Sequence, residues 1–256
     1  MIEKNTPHQP AFSFPLNSPN FLQKIYSDAS DIIGLDYSFF GVNLGFLAAG
    51  EARAIELEQT SPGQNLLLEA KKYAEELMGQ NSLKLVMGIS DCSSETDHEI
   101  SVLEGHRAGF SEVRFLSESV AAAIVEFWND KTAADKIIAS CVFRGNSFGE
   151  STSFGLAIIE IKNGIFSVKK LNGRKHKINN NIVKETCLTT IRELDLKHID
   201  EVLIVGRKDY VTLEKSLIKA VRRTFRPLLE GECKYSRGHE KLVAKGLAVY
   251  GSWLKG

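Results

Sequence analysis

The order of secondary-structure elements repeats along this chain, and a repeat of that kind restricts the fold more than any single motif does. Apolar runs and alternations predict three strands, a helix, a strand and a helix, and the same βββαβα order then returns. We therefore predict an α/β protein with two similar lobes, each a mixed sheet flanked by helices. A ligand crevice would lie between the lobes, at the ends of the strands.

Each repeat is predicted from its apolar periodicity and its turn residues. The elements of the first repeat are strands at 32–35, 41–49 and 52–57, a helix at 66–77, a strand at 83–89, a helix at 99–108, a strand at 113–116 and a helix ending at Trp128. Those of the second are strands at 137–143, 155–161 and 165–169, a helix at 182–194, a strand at 202–205 and helices at 213–225 and 243–254. Ser117 is the expected N-cap of the helix that ends the first repeat.

Residues 1–30 differ from the rest of the chain. Four prolines interrupt regular structure there, while Phe12, Phe14 and Phe21 are isolated apolar anchors. We expect an arm that packs on the protein's own body or docks on a partner. The predicted domains are an extended N-terminal arm at 1–30, a first lobe at 31–130 and a second lobe at 131–256.

Composition argues against membrane, secreted and metal-binding classes. No apolar run approaches the length that spans a bilayer, and residues 1–10 lack the apolar stretch of a secretory signal. We expect a cytoplasmic protein, with the nucleus as an alternative. The cysteines are far apart, without zinc-site spacing or disulfide density, and are expected to be free, mostly buried thiols: Cys92, Cys141, Cys187 and Cys233. No bound metal is predicted.

Charge is balanced overall but not between the halves. Residues 1–130 contain 8 Lys and Arg against 19 Asp and Glu, and the remaining residues contain 24 against 13. The opposite charges can attract the two lobes to each other across a cleft or reflect drift in surface composition. A basic second lobe can also bind an acidic partner.

Four segments carry short motifs in a consistent order. Residues 33–36 read Ile-Gly-Leu-Asp before two strands, and residues 113–124 contain Ser-Glu-Ser-Val-Ala-Ala-Ala. Residues 163–168 read Asn-Gly-Ile-Phe-Ser-Val, and Val-Leu-Ile-Val-Gly at 202–206 precedes a helix with Val-Ala-Lys-Gly-Leu-Ala. Together these segments resemble the heat-shock seventy chaperones, in which they form the first phosphate hairpin, the segment ending in Ile-Asn-Glu-Pro-Thr-Ala-Ala-Ala, the hairpin after the second phosphate loop, and the adenosine site.

The resemblance implies a duplicated RNase H-like and actin-like fold, and it covers nearly all of the chain after the arm. Within that fold, only a short link separates the strand at 52–57 from the helix at 66–77, and few residues separate Val168 from Asp200. We therefore expect the family's two small subdomains to be reduced or absent. Another actin-like or sugar-kinase-like protein with the same topology is the alternative.

The phosphate and adenosine motifs of the family are altered in this chain. The Leu-Gly-Thr-Thr that should follow Asp36 is Tyr37-Ser38-Phe39-Phe40, and Gly-Gly-Gly-Thr-Phe-Asp is matched by residues 150–155, Glu-Ser-Thr-Ser-Phe-Gly. Phosphoryl transfer depends on small glycine turns, hydroxyls and Mg²⁺ around the phosphates. We therefore predict a degenerate family member with no catalytic residues and no cofactor. Its remnant pocket comprises Asp36, Ser38, Phe39, Phe40, Glu150, Gly155, Gly206 and Arg207.

The acidic residues that survive have structural interpretations. Asp36 can cap its own turn by accepting backbone N–H bonds. Glu118 is expected to cap a helix or to pair with Arg114. Ser93 and Ser94 have no nucleophile elbow around them and are interpreted as a loop that leads into a helix.

Function is therefore expected at the surface. Lys215, Lys219, Arg222 and Arg226 share one face of a predicted helix and form a basic stripe, which is either a solvated face or a site for RNA or the ribosome. The leading hypothesis is a non-catalytic interaction module related to the heat-shock seventy chaperones, acting within a larger assembly with a protein partner and without contact with a membrane. The alternatives are a minimal ATPase or kinase that still binds ATP, and a scaffold that docks through Phe12, Phe14 and Phe21.

Overall fold

Two mixed β-sheets form the frame of the molecule. The computed structural model describes residues 13–15, 31–38, 41–48, 50–58, 65–79, 81–128, 135–145, 151–162, 165–206, 211–237 and 239–254. The elements of the first lobe are β2 (Ile32–Ser38), β3 (Gly41–Ala48), β4 (Glu51–Glu58), α1 (Leu66–Met78), β5 (Lys84–Ile89), α2 (Glu95–Arg107), β6 (Glu112–Ser117) and α3 (Glu118–Trp128). The arm and the second lobe contribute β1 (Ser13–Pro15), β7 (Lys136–Gly145), β8 (Ser151–Lys162), β9 (Ile165–Lys175), α4 (Asn180–Glu193), β10 (Glu201–Gly206), α5 (Val211–Phe225), β11 (Cys233–Arg237) and α6 (His239–Trp253).

The two sheets have the same topology. The first has the order β4-β3-β2-β5-β6, and the second has the order β9-β8-β7-β10-β11, with β1 added beside β9. In each, the first three strands are antiparallel and the last two join in parallel. The predicted fold class, a duplicated actin-like pair of α/β lobes, is confirmed.

The central strands form because their sequences are apolar on both faces. Residues 85–89 of β5 and 202–206 of β10 are buried throughout, as expected for parallel strands covered by helices on both sides. Strand β11 was not predicted, because its sequence, Cys-Lys-Tyr-Ser-Arg, is short and largely polar. Strand β9 extends six residues beyond the predicted end at Lys169.

The lobes exchange their last helices. Helix α3 follows the first sheet in the chain but packs against β7 and β8, whereas α6 follows the second sheet and packs against β2 and β3. Glycines allow this packing, since a Cβ at Gly45 would lie 1.9 Å from the backbone oxygen of Ala244 in α6. One apolar core therefore contains residues from both sheets, including Ile32, Val86, Ile138 and Leu203. The predicted boundary at residue 130 remains a prediction.

Part of the N-terminal arm lies on the second sheet. Strand β1 pairs antiparallel with β9, and Phe14 lies opposite Phe166 in the register. Residues 13–15 therefore contact the protein's own body, which was one of the two expectations for the arm. Phe12 and Phe21 lie outside the described residues.

Candidate functional site

The end of strand β2 places a carboxylate between the lobes. Asp36 is fully buried and lies opposite Asn43 of β3. Its side chain is on the face of the first sheet that α6 covers, because a Cβ at Gly88 would lie 3.4 Å from Asp36 Oδ1 and 3.2 Å from Leu247 of α6. This is the position at which the resemblance expects phosphate chemistry.

Arg144 of the second sheet reaches across to this carboxylate. Its Nη2 donates to Asp36 Oδ1 at 3.0 Å, and its Nε donates to Glu118 Oε2 at 2.7 Å. Nη2 also contacts Glu118 Oε1. Asp36 and Glu118 have side chains that are 0% and 2% exposed, while 29% of the Arg144 side chain is exposed. We call these three residues the arginine cluster.

The carboxylates hold the arginine in its charged form. Burial by itself lowers the pKa of Arg144, but the charges of Glu118 and Asp36 outweigh it, and the net pKa lies above the ordinary arginine value. Asp36 belongs to β2 and Glu118 is the first residue of α3, whereas the guanidinium belongs to β7 of the second sheet. The cluster is therefore an ion-paired contact between the lobes.

The expected pairing of Glu118 with Arg114 is wrong. Arg114 forms its ion pair with Glu112 on its own strand, because alternate residues of β6 project to the same face. Glu118 lies one residue past the end of β6 and is directed into the interior instead. Asp36 Oδ1 accepts from Arg144 across the cleft. The turn that Asp36 was expected to cap continues through residues 39–40, which lie outside the described residues, so that expectation stays a prediction.

A second carboxylate lies beside the arginine cluster. Asp91 belongs to the loop between β5 and α2, and its Oδ1 accepts a hydrogen bond from the Ser117 hydroxyl. Burial raises the pKa of Asp91 to about 7, although the hydroxyls of Ser117 and Ser119 oppose that rise. Its Oδ2 is buried and accepts no hydrogen bond from the described residues. The raised pKa places the titration of Asp91 close to neutral pH.

Two glycines of the second sheet make room for Asp91. A Cβ at Gly155 of β8 would lie 1.8 Å from Asp91 Oδ2, and one at Gly173 of β9 would lie 2.7 Å from the backbone carbonyl of Asp91. We call this space the glycine notch. The motif of the heat-shock seventy chaperones has an aspartate at the position of Gly155. In this chain the carboxylate beside that position is instead that of Asp91, which comes from a different segment.

The loop between β5 and α2 also carries the serines considered from the sequence. Ser94 is the N-cap of α2, accepting from the Asp97 backbone N–H at 3.2 Å, while Asp97 Oδ2 accepts from the Ser94 backbone N–H at 2.8 Å. This capping box confirms the interpretation of Ser93 and Ser94 as a loop that leads into a helix. Asp97 Oδ2 also pairs with Lys175 of β9 at 3.0 Å, which is a further contact between the lobes.

Ser117 has the capping role that was predicted for it. Its hydroxyl oxygen accepts from the Val120 backbone N–H at 3.3 Å while the same hydroxyl donates to Asp91. The start of α3 is therefore tied to the loop that carries Asp91. Ser119 contributes a second hydroxyl, 3.0 Å from that of Ser117.

Only part of the predicted remnant pocket can be located. Asp36 and Gly155 lie near the arginine cluster and the glycine notch, and Gly206 ends β10. Phe39, Phe40, Glu150 and Arg207 lie outside the described residues, and only the backbone of Ser38 is described. The roles predicted for these residues stay predictions.

The basic stripe lies on the surface as its spacing predicts. Lys215, Lys219, Arg222 and Arg226 are exposed, whereas Leu217, Val221 and Phe225 of the same helix are buried. The cysteines are free thiols, of which Cys141 and Cys187 are buried and Cys92 and Cys233 are partly exposed. Burial therefore holds for half of the set that was expected to be mostly buried.

Sequence reasoning missed Arg144 altogether and gave Asp91 no role. Arg144 lies 108 residues from Asp36 in the chain, and no local pattern links them. For Asp91 a signal existed: the glycine at 155, where the resemblance expects an aspartate, indicates that another group takes that space. Identifying that group required the tertiary structure.

Within the residues that the structure describes, no group of three or more His, Cys, Asp or Glu side chains is placed to hold a metal ion. No helix there is long and apolar enough to cross a bilayer.

Comparison with known proteins was made over the whole chain. No protein-family profile matches it. The chain is 29% identical over 123 residues to the heat shock protein hsp-6 of Caenorhabditis elegans, which is 48% of this chain and 18% of that protein. It is 31% identical over 127 residues to a heat shock cognate HSP70 protein of Trypanosoma brucei brucei, which is 50% of this chain and 18% of that protein. The matched region thus spans less than a fifth of either relative. These matches support a relationship to heat-shock seventy proteins across about half of the chain.

Proposed function

We propose that this chain is a non-catalytic interaction module related to the heat-shock seventy chaperones, and that it acts as a subunit or regulator of a larger assembly. The observation that carries the proposal is Arg144, which binds Asp36 and Glu118 at the position where the resemblance expects phosphate chemistry. A guanidinium here supplies the positive charge that the two carboxylates require. The protein is proposed to use its lobes as a scaffold and its surface for binding.

The residues at this position do not fit a magnesium nucleotide. A cation beside Asp36 would have to displace the Arg144 guanidinium, which is bound to both Asp36 and Glu118. With Asp36 and Glu118 ionised and Arg144 charged, the arginine cluster has a net charge of −1, which ionised Asp91 makes more negative. A net negative site with little exposed surface repels a triphosphate.

Calorimetric titration with Mg-ATP tests the absence of nucleotide chemistry. We expect no binding tighter than about 1 mM by the unmodified chain or by Arg114→Ala, the matched control in which an exposed arginine is removed. A variant combining Arg144→Ala, Phe39→Thr, Phe40→Thr and Glu150→Gly removes the internal cation, the two rings and the added carboxylate. Micromolar binding by the unmodified chain would overturn the proposal in favour of the minimal ATPase.

The partner is proposed to be a protein, in keeping with the relationship to chaperones. Affinity purification from the native cell, followed by mass spectrometry, identifies it. Deletion of residues 1–30 then tests docking through the arm, because a partner held by Phe12 and Phe21 would be lost from the purification. Retention of the partner by the shortened chain would exclude the arm as its binding site.

The basic stripe favours a second candidate, association with RNA or the ribosome. Its four cations project from one face of α5 into solvent, and clustered Lys and Arg release counterions from nucleic-acid phosphates. We expect salt-dependent cosedimentation with ribosomes that Lys219→Glu with Arg222→Glu abolishes. The matched control is Arg53→Glu with Lys72→Glu, which reverses two charges on the first lobe, at side chains 57% and 58% exposed. Equal cosedimentation of both double variants would exclude the stripe.

A further inference from the structure

The loop between β5 and α2 is held against the other lobe by a group whose charge changes near neutral pH. Asp91 belongs to this loop, and the glycine notch against which it packs belongs to β8 and β9 of the second sheet. The Asp91 side chain faces Gly155, and the Asp91 carbonyl and the Cys92 nitrogen face Gly173, so both the side chain and the backbone of the loop fit the notch. A charge on Oδ2 is therefore placed inside a contact between lobes.

We propose that Asp91 is a proton-operated latch between the lobes: protonated Asp91 holds the loop in the glycine notch, and ionised Asp91 releases it. The proposal rests on the fit of the loop to Gly155 and Gly173 and on the absence of any described hydrogen-bond donor to Oδ2. It does not depend on the proposed function.

The groups around Asp91 favour its neutral form in the closed state. Burial favours the neutral form most strongly; on the α3 side, the hydroxyls of Ser117 and Ser119 oppose it and the like charge of Glu118 adds to it. From β7, Arg144 attracts an ionised Asp91, but its guanidinium is already bound to Glu118 and Asp36. On the β8 side the notch is a glycine, with no side chain to donate a hydrogen bond.

Among the described residues, Lys175, Cys92 and Cys141 are further neighbours that do not neutralise Asp91, and burial keeps Cys141 a neutral thiol. Lys175 of β9 is engaged by Asp97 at 3.0 Å. Cys92, the next residue of the loop, has its own pKa raised by burial and stays a neutral thiol. Within the part of the chain that the structure describes, an ionised Asp91 in the closed state thus has no cation of its own.

The direction of the pH dependence follows from the raised pKa. In the open state the carboxyl group meets water and ionises near the ordinary value of 3.8, whereas in the closed state it ionises near 7. The closed state is therefore favoured most in acid, weakens as the pH rises between these values, and changes little at higher pH. Between pH 5 and pH 8 the open population should increase about a hundredfold.

Hydrogen exchange of the full-length chain tests the latch. Exchange is followed in peptides that cover residues 84–95 and 151–158. The measured quantity is the exchange rate of the unmodified chain divided by that of Asp91→Asn. This ratio cancels the intrinsic pH dependence of amide exchange. We expect this ratio to rise about a hundredfold from pH 5 to pH 8. A ratio that stays constant across this range would overturn the proposal.

Two further variants keep the test decisive. Gly155→Ala places a Cβ 1.8 Å from Asp91 Oδ2, so it should open the loop at every pH and remove the pH dependence. Glu95→Gln alters an exposed carboxylate at the start of α2, next to the same loop, and leaves Lys175 paired with Asp97, so its pH dependence between pH 5 and pH 8 should match that of the unmodified chain. If Glu95→Gln instead abolished the pH dependence, the latch would not reside in Asp91. Tryptophan fluorescence establishes that each variant remains folded.

Discussion

Two carboxylate sites lie between the lobes, and the structure neutralises them in different ways. Asp36 and Glu118 share one guanidinium, so a cation that remains ionised at every relevant pH offsets part of their charge. Asp91 is paired with hydroxyls and glycine, so its charge is reduced by retaining a proton. Two carboxylate sites of one interface therefore provide a fixed contact at one site and a pH-dependent contact at the other.

The difference assigns separate tasks to the two sites. A permanent ion pair is costly to break, because removing either partner leaves a buried charge. A carboxyl group that titrates near neutral pH instead makes a contact whose strength depends on the pH. The same interface thus combines a constant connection at Arg144 with an adjustable one at Asp91.

The largest expected effect comes from removing the fixed cation. Arg144→Ala leaves Asp36 and Glu118 buried without their guanidinium and should lower the free energy of unfolding by about 3–5 kcal/mol. Urea denaturation at pH 7 measures this loss. Arg114→Ala, which removes an arginine with a side chain 50% exposed, should change stability by less than about 1 kcal/mol. Equal effects of the two substitutions would show that the arginine cluster is not a special contact.

Removing the titrating carboxyl group should have the next largest effect, with the opposite sign. The folded-state pKa of Asp91 is raised, so the unmodified chain loses stability as the pH rises from about 4 to about 7. Asp91→Asn cannot ionise and should be more stable than the unmodified chain at pH 8 by roughly 2–4 kcal/mol, while the two converge near pH 4. Urea denaturation from pH 4 to pH 8 measures the difference. Parallel curves would contradict the assignment.

The glycine notch predicts a coupled pair of substitutions. Gly155→Ala forces its Cβ against Asp91 Oδ2 and should destabilise the protein by about 1–3 kcal/mol. Asp91→Ala removes that oxygen, so adding it to Gly155→Ala should recover part of the loss. A double-mutant cycle measured by thermal unfolding gives the coupling energy. Additive effects would mean that Gly155 and Asp91 do not share the space that the structure assigns to them.

The sequence predicted the repeated sheets because each strand carries its own apolar signal. Buried strands such as β5 and β10 are continuous apolar runs, and Ser117 was correctly predicted as an N-cap from its position before an apolar helix. The arginine cluster had no such signal, since the positions of Arg144, Asp36 and Glu118 become adjacent only when the lobes join. The polar strand β11 was not predicted for a related reason. It pairs with the edge of β10, and its own residues carry no strong strand signal.

The smallest expected effect is at the exposed contact between the lobes and tests the importance of burial directly. Asp97 has a pKa held well below its usual range, first by the Ser94 backbone N–H and then by Lys175 and the Ser94 hydroxyl. Its stabilising contribution is therefore present above the ordinary aspartate pKa and is lost as the pH falls below about 4, which is opposite to the behaviour of Asp91. Asp97→Asn should slightly lower the melting temperature at pH 7 and flatten the acid limb of its pH profile. Because this carboxylate is exposed, high salt should remove most of the Lys175 contribution and leave that of the capping box. A salt-insensitive effect would mean that the cap alone lowers the pKa, and the comparison between fixed and adjustable contacts would then rest on Arg144 and Asp91 only.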